Sequence, residues 1–350
     1  MPNIMLTYRC NLNCPYCFAN EFVNKSVLDM SEENFDKAVG FITRKGPTNL
    51  GLIGGEPTLH PDFNKFLVKL MYNPNINDVL IYTNGLRLDS LKEQLLSLNY
   101  SFMAKFLVNC NSPKVMGQAN YEKLVRNLDA LITENFLKDN FKLGINLYSN
   151  DLDYTYIIDL LKRYDYNTVR FSLTVPDFSA GEEWNALEYF KSRKGYLIRF
   201  LHDMEENGIL AYYDCNKPPA CIWSKEEMQW LTEYVHKYPR QESNLLGMQA
   251  SCNPVIDILP NLRAVRCFGM SDFSSVAIKD YRSVADIAAY FKNTIDAEAC
   301  RISADAQCRK CYERQTMHCT GGCIGFKQEA IKNVNAYVSQ IDVKELANGQ

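Results

Sequence analysis

Cys10, Cys14 and Cys17 fall within the stretch Tyr8–Phe18, behind a short apolar run. Three thiolates spaced Cys-x3-Cys-x2-Cys on a short irregular loop can each ligate one iron of a cubane [4Fe–4S] cluster, because sulfur is the soft donor such clusters require. The fourth iron is then left without a protein ligand, and a substrate or cofactor can coordinate there. A structural zinc site would instead be closed by a fourth Cys or His close by. The nearest histidine in sequence is His60.

With the aromatic Tyr16 before its last cysteine, this spacing resembles the signature of radical S-adenosylmethionine enzymes. The resemblance implies that Cys10, Cys14 and Cys17 hold the cluster and that the methionyl amine and carboxylate of S-adenosylmethionine chelate the open iron. An electron from the cluster then yields methionine and a 5′-deoxyadenosyl radical, so the hard chemistry is the cofactor's and the protein positions it. Gly54-Gly55-Glu56-Pro57 fits the same picture. Two glycines permit close backbone approach to a ligand, and a carboxylate beside them can accept hydrogen bonds from an ammonium group. In the family a Gly-Gly-Glu-Pro pattern meets the methionyl amine. Thr83-Asn84-Gly85 also resembles the family, where polar residues at strand ends bond the ribose and carboxylate. Asn109, Asn111, Ser112 and Asn146 are candidates by position alone, each equally readable as a satisfied turn or cap. Cys110 reads as a small strand-end side chain.

A second set of cysteines follows Gly208, beyond which nine of the 13 lie. Cys308-x2-Cys311-x7-Cys319-x3-Cys323 is preceded by Cys252-x14-Cys267. The run Val255 to Arg266, with Pro260-Asn261 in its middle, reads as a hairpin that brings Cys252 and Cys267 together at its open end. The arrangement resembles the SPASM or twitch extension of peptide-modifying radical enzymes, which holds one or two auxiliary [4Fe–4S] clusters. That likeness implies that Cys252, Cys267 and Cys323 serve the first and Cys308, Cys311 and Cys319 the second. It departs from the family in having seven residues between Cys311 and Cys319, Leu262 in place of the usual hairpin glycine, and no final cysteine after Cys323. Cys300 is a substitute for that last ligand, and Cys215 or Cys221 could complete the first auxiliary site. A four-thiolate zinc site from Cys308 to Cys323 is the alternative.

These residues need a scaffold. Up to about residue 205, extended apolar runs alternate with helical patterns, the rhythm of a parallel sheet with crossover helices. Strands are expected at 4–8, 50–53, 79–82, 105–109, 141–148 and 169–174. Helices are expected at 31–45 (capped by Ser31, stopped by Gly46), from Pro61, from about Ser90, at 121–133, 154–164 and 193–206. A segment from Pro176 to Tyr189, with Gly181 and Trp184, reads as an active-site insertion. Periodicity alone also fits an open doubly wound sheet. The family resemblance implies an α/β chain with a partial (β/α)6 TIM-type barrel at 1–207 and a SPASM/twitch-like cluster domain at 208–350.

Composition excludes other classes. A chain of 350 residues with 47% hydrophobic and 23% charged residues is ordinary globular protein, and a net charge of −3 without a basic block gives no footprint for nucleic acid. Neither a secretion leader nor a membrane-spanning apolar run is present, so the cytoplasm is expected, where many cysteines signify metal ligation rather than disulfides. The resemblance implies a peptide or protein substrate, with a sugar or other small metabolite as the alternative, and a reductant such as flavodoxin or ferredoxin. Because Cys10 lies so near the start, a separate leader-binding protein, an interdomain groove or an exposed strand edge is expected to recognise a peptide.

Overall fold

The computed structural model describes residues 1–332 apart from 18, 20, 21, 26, 27, 98–103, 136, 177–184, 214, 217, 238–251, 272, 304, 317 and 318. Six strands and their crossover helices follow the expected rhythm: β1 Asn3–Met5, β2 Thr48–Ile53, β3 Ile76–Thr83, β4 Ala104–Asn109, β5 Phe141–Leu147 and β6 Thr168–Leu173, all paired in parallel in that order. Helix α1 Glu32–Ile42 starts where the Ser31 hydroxyl accepts from the Asn34 amide, and its chain stops at Gly46, whose φ of 119° suits a residue without Cβ. Helix α2 Phe63–Met71 begins two residues after Pro61 and buries Phe63, Phe66, Leu67 and Leu70, one stripe at helical spacing, against the sheet. The Phe66 ring stacks on Phe35 of α1 with centroids 4.1 Å apart.

Around the rest of the sheet, the crossovers are α3 Lys92–Ser97, the short α4 Pro113–Met116 with α5 Gln118–Leu128, and α6 Thr155–Arg163. Helix α7 Ala186–Glu206 starts seven residues earlier than expected, because Asn185 accepts from the amides of Leu187 and Glu188 and so caps it there. Most of the expected insertion, including Gly181 and Trp184, lies outside the described residues.

A seventh strand, β7 Leu210–Tyr213, pairs in parallel with β6. It lies beyond the boundary expected at 207, so the parallel run outlasts the expected barrel by one strand. Its apolar sequence directly follows Gly208, which stands at φ 70° behind α7. At the other side, β8 Asp257–Ile258 pairs in parallel with β1, and β9 Arg263–Val265 and β10 Ser275–Ala277 continue antiparallel. One ten-stranded sheet therefore runs through both halves in the order β10-β9-β8-β1-β2-β3-β4-β5-β6-β7. β1 and β7 are not neighbours in it, so the barrel is open. The expected hairpin is present with a bulge: the amides of Val255 and Ile256 both donate to Arg266 O, at 2.9 and 3.0 Å. Leu262, at the position of the family's glycine, adopts φ 62°. No helix among the described residues is long and apolar enough to cross a membrane.

The β1–β8 junction buries a carboxyl. Asn3 Nδ2 donates to Asp257 Oδ1 at 2.7 Å, while Asn3 Oδ1 has no partner among the described residues. Burial pushes the Asp257 carboxyl up from 3.8 to about 6, only partly offset by the bonds from Asn3 and the Phe268 backbone. A carboxyl raised on folding stabilises the fold below its unfolded pKa, and that contribution is lost as pH rises through about 6; it amounts to about 3 kcal/mol. Asp257→Asn is expected to remove this pH dependence, so that the variant gains on the parent as pH rises from 5 to 7.5. Urea midpoints for both proteins at pH 5 and pH 7.5 check this. An equal pH dependence in variant and parent would refute it.

Candidate active site

The loop after β1 is pinned on two sides. Asn24, at φ 60°, accepts from Cys10 N at 2.9 Å and donates to Cys10 O at 3.0 Å, while Asp29 pairs with Arg9 and accepts from Thr7 Oγ1. On the other side lies the turn after β2. Gly55 N donates to Thr7 O at 2.9 Å and Glu56 N to Arg9 O at 2.7 Å. A Cβ on Gly55 would stand 2.3 Å from Arg9 O and 3.0 Å from Cys10 Cβ, and one on Gly54 2.9 Å from Thr7 O. The close backbone approach that the glycines permit is thus to the cysteine loop itself.

Glu56 is 1% exposed. Its Oε1 accepts from Thr58 N, Thr58 Oγ1 and Thr83 Oγ1, and its Oε2 from Asn84 N at 2.7 Å. Burial pushes its carboxyl up, and these four donors oppose the shift. Oε1 is crowded, whereas Oε2 keeps capacity for a further donor. Thr83 and Asn84, expected at a ribose or carboxylate, here bond within the protein: Thr83 holds Glu56, and Asn84 Nδ2 donates to Asn11 Oδ1 at 2.7 Å.

Across the mouth, Tyr16 Oη donates to Asn111 Oδ1, and Asn111 Nδ2 points at Cys14 Sγ, 3.6 Å away. The Tyr16 ring stacks on Tyr148 at 5.2 Å. Asn146 Oδ1 accepts from Arg170 Nη1 at 2.9 Å and Ser172 Oγ at 2.8 Å, and Arg170 also reaches Asn109 at 3.5 Å. Neighbouring Ser112 has a buried Oγ without a partner among the described residues. Burial pushes the Cys10 thiol up to about 11 and raises Cys14 and Cys17 as well; Cys10 also feels Glu56, Cys14 and Cys17. Three soft donors and, near Cys10, the buried carboxylate of Glu56 make a donor set that fits a cluster with a chelating amino acid. Cys110 is apart, buried, with its thiol pushed up to about 12 by burial.

In the C-terminal half the thiols sort into two groups. Cys323 and Cys267 each lie within electrostatic reach of Cys252 and Cys215. Cys221 lies within reach of Cys319, Cys308 and Cys311. Among the described residues no three Cys, His, Asp or Glu converge on a single ion. Each group has a buried cation that sequence reading missed. Arg266, fully buried, donates to Cys252 Sγ at 3.5 Å and pairs with Asp296 at 2.5 Å. Lys327 donates to Ala299 O and Thr320 O, feels Cys300, Cys308 and Cys319, and is pushed down to about 8, chiefly by burial.

Residues 4–138 match the family model described as Radical SAM superfamily. This stretch is a radical SAM domain. The chain is similar to the mitochondrial GTP 3′,8-cyclase of Arabidopsis thaliana, 28% identical over 189 residues, covering 52% of this chain and 47% of that protein. It spans about half or less of the curated relatives it matches. Two solved structures share the fold around the domain over nearly the whole chain. anSMEcpe with bound AdoMet and Cp18Cys peptide has a TM-score of 0.59 at 18% identity, covering 97% of this chain and 99% of that one. Streptococcus suis SuiB bound to precursor peptide SuiA has a TM-score of 0.58 at 13% identity, covering 92% and 71%. The radical SAM domain thus stands in an α/β chain whose parallel sheet forms a partial TIM-type barrel.

Proposed function

We propose that this protein cleaves S-adenosylmethionine reductively and uses the radical to take a hydrogen atom from a peptide or protein side chain. The observation that carries the proposal is the joint between the two loops: backbone bonds lock the Cys10 loop to the turn bearing Glu56. Cys10, Cys14 and Cys17 would hold the cluster, which supplies the electron for cleavage when bound. Glu56 Oε2 accepts from the methionyl ammonium, Ser112 Oγ bonds a polar group of the same ligand, and Asn111 orients Tyr16 and Cys14. A small flavodoxin- or ferredoxin-type protein donates the electron. The C-terminal half is a SPASM-like domain holding auxiliary [4Fe–4S] clusters on its two thiol groups, and the reaction takes place in the cytoplasm.

The peptide reading draws on two fold neighbours that were each solved with a peptide bound. The match to GTP 3′,8-cyclases favours a second reading, a small metabolite such as a nucleotide. Reduced, reconstituted protein is expected to form 5′-deoxyadenosine, and the Cys10→Ala, Cys14→Ala, Cys17→Ala triple variant to form none; undiminished cleavage in that variant would end the assignment. Deuterium transferred to 5′-deoxyadenosine from labelled peptides supports the first substrate class. Label arriving only from nucleotides or sugars supports the second.

A further inference from the structure

Arg266 directly follows β9 and is fully buried, and each of its five N–H groups has an acceptor. Nε and one hydrogen of Nη2 hold the Asp296 carboxylate, at 2.5 and 3.0 Å. The other Nη2 hydrogen donates to Cys252 O at 2.6 Å. Nη1 faces sulfur: Cys252 Sγ at 3.5 Å and Cys267 Sγ at 3.9 Å. One guanidinium thus joins the two cysteines at the open end of the hairpin. The backbone of Arg266 binds the opposite arm as well, since its carbonyl accepts from both Val255 N and Ile256 N, and Ile256 stands at φ 63°, a conformation costly for a β-branched residue. Asp296 closes a π-helical turn, Lys292–Asp296, set between the helices Val284–Phe291 and Ala297–Arg301. Such turns are rare and concentrate at functional sites. A neutral thiol is a weak acceptor, whereas a thiolate takes a charge-assisted bond. A buried cation with two donors aimed at two sulfurs therefore fits Cys252 and Cys267 as deprotonated ligands rather than as packed thiols.

We propose that Arg266 is a positioning residue for the Cys252–Cys267 pair: it holds both sulfurs at the open end of the hairpin and, through Nη1, raises the reduction potential of the cluster they ligate. Asp296 orients the guanidinium and offsets part of its charge. Hydrogen bonds to ligand sulfurs and net charge both act on such a potential. Reduction adds negative charge, which the Nη1 donors stabilise at the two sulfurs. Fork geometry counts as much as charge here, because a lysine ammonium gathers its three donors on one atom and cannot reach Asp296, Cys252 O and both sulfurs together.

This inference rests on the auxiliary-cluster reading, and the test separates the two. The full-length Cys10→Ala, Cys14→Ala, Cys17→Ala background is reconstituted without oxygen, its iron and sulfide are counted, and it is titrated by potential with EPR detection. Arg266→Lys is expected to lower the midpoint of one centre by about 59 mV or more, a tenfold change in the reduction equilibrium of a one-electron couple, and to alter the EPR signal of that centre. Asp296→Asn keeps Arg266 on the sulfurs and removes the offsetting carboxylate, so the same midpoint is expected to rise. Shifts of opposite sign in one centre, with any other centre unmoved, are what a merely structural role would not produce. Unchanged midpoints in both variants, or shifts of the same sign, would overturn the proposal. Should Arg266→Lys lose the iron of that centre, Asp296→Asn decides alone: a rise supports the proposal and an unmoved midpoint ends it. A background with no iron would overturn the auxiliary-cluster reading, and this one with it.

Discussion

Gly55→Ala is expected to lower 5′-deoxyadenosine formation at least a hundredfold and to empty the N-terminal cluster site while the C-terminal iron stays. The new methyl would meet Arg9 O at 2.3 Å and Arg9 C at 2.8 Å, backbone atoms that have no rotamer with which to step aside. Relief requires the Cys10 loop to move off the turn, breaking the bonds from Gly55 N to Thr7 O and from Glu56 N to Arg9 O. Overpacking of this kind costs about 1–3 kcal/mol, and it falls on the side of the loop that the turn holds. Gly54→Ala meets only Thr7 O, at 2.9 Å, and two softer neighbours at 3.4 Å, so a milder loss is expected. Iron counts and cleavage assays on both variants measure the difference. Full activity in Gly55→Ala would show that the joint between the loops is not what holds Cys10.

Glu56→Gln is expected to weaken S-adenosylmethionine binding by roughly ten- to a hundredfold, the worth of one charge-assisted hydrogen bond. Oε1 is satisfied by Thr58 and Thr83, so the amide oxygen takes that place and the NH2 turns toward Asn84 N, where it sets donor against donor. The ammonium of the ligand then faces an NH2 as well. Glu56→Ala leaves four buried donors without an acceptor and is expected to cost about 3 kcal/mol of stability besides. Equilibrium binding, not turnover alone, separates the two substitutions. Unchanged affinity in Glu56→Gln would place the amine elsewhere.

Legibility in the sequence follows the range of the forces involved. The stripe of Phe63, Phe66, Leu67 and Leu70 and the Ser31 cap are local, and the structure uses them as spacing demands. β7 is masked in the sequence by the cysteine-rich composition after Gly208, although the apolar run from Leu210 is there to read. Asn24 and Lys327 act on cysteines from a distance in sequence, and nothing in their neighbourhoods marks them, whereas Arg266 stands directly beside Cys267. Arg170 had a signal: a charge between Val169 and Phe171 inside a strand points to a polar interior, where it bonds Asn109 and Asn146. Thr83 and Asn84 stood where resemblance put them, yet their side chains support Glu56 and Asn11, a role that only the burial of Glu56 explains.

The strand that delivers the cysteine loop has no free side. β1 is flanked by β2 and, across the Asn3–Asp257 contact, by β8. The C-terminal hairpin therefore guards β1 as well as carrying thiols: without it, Asn3–Met5, fully or nearly fully buried, would offer an apolar row of unpaired amides and carbonyls, a template for adhesion to other chains. The C-terminal half thereby covers an edge of the barrel sheet that would otherwise lie open beside the cysteine loop.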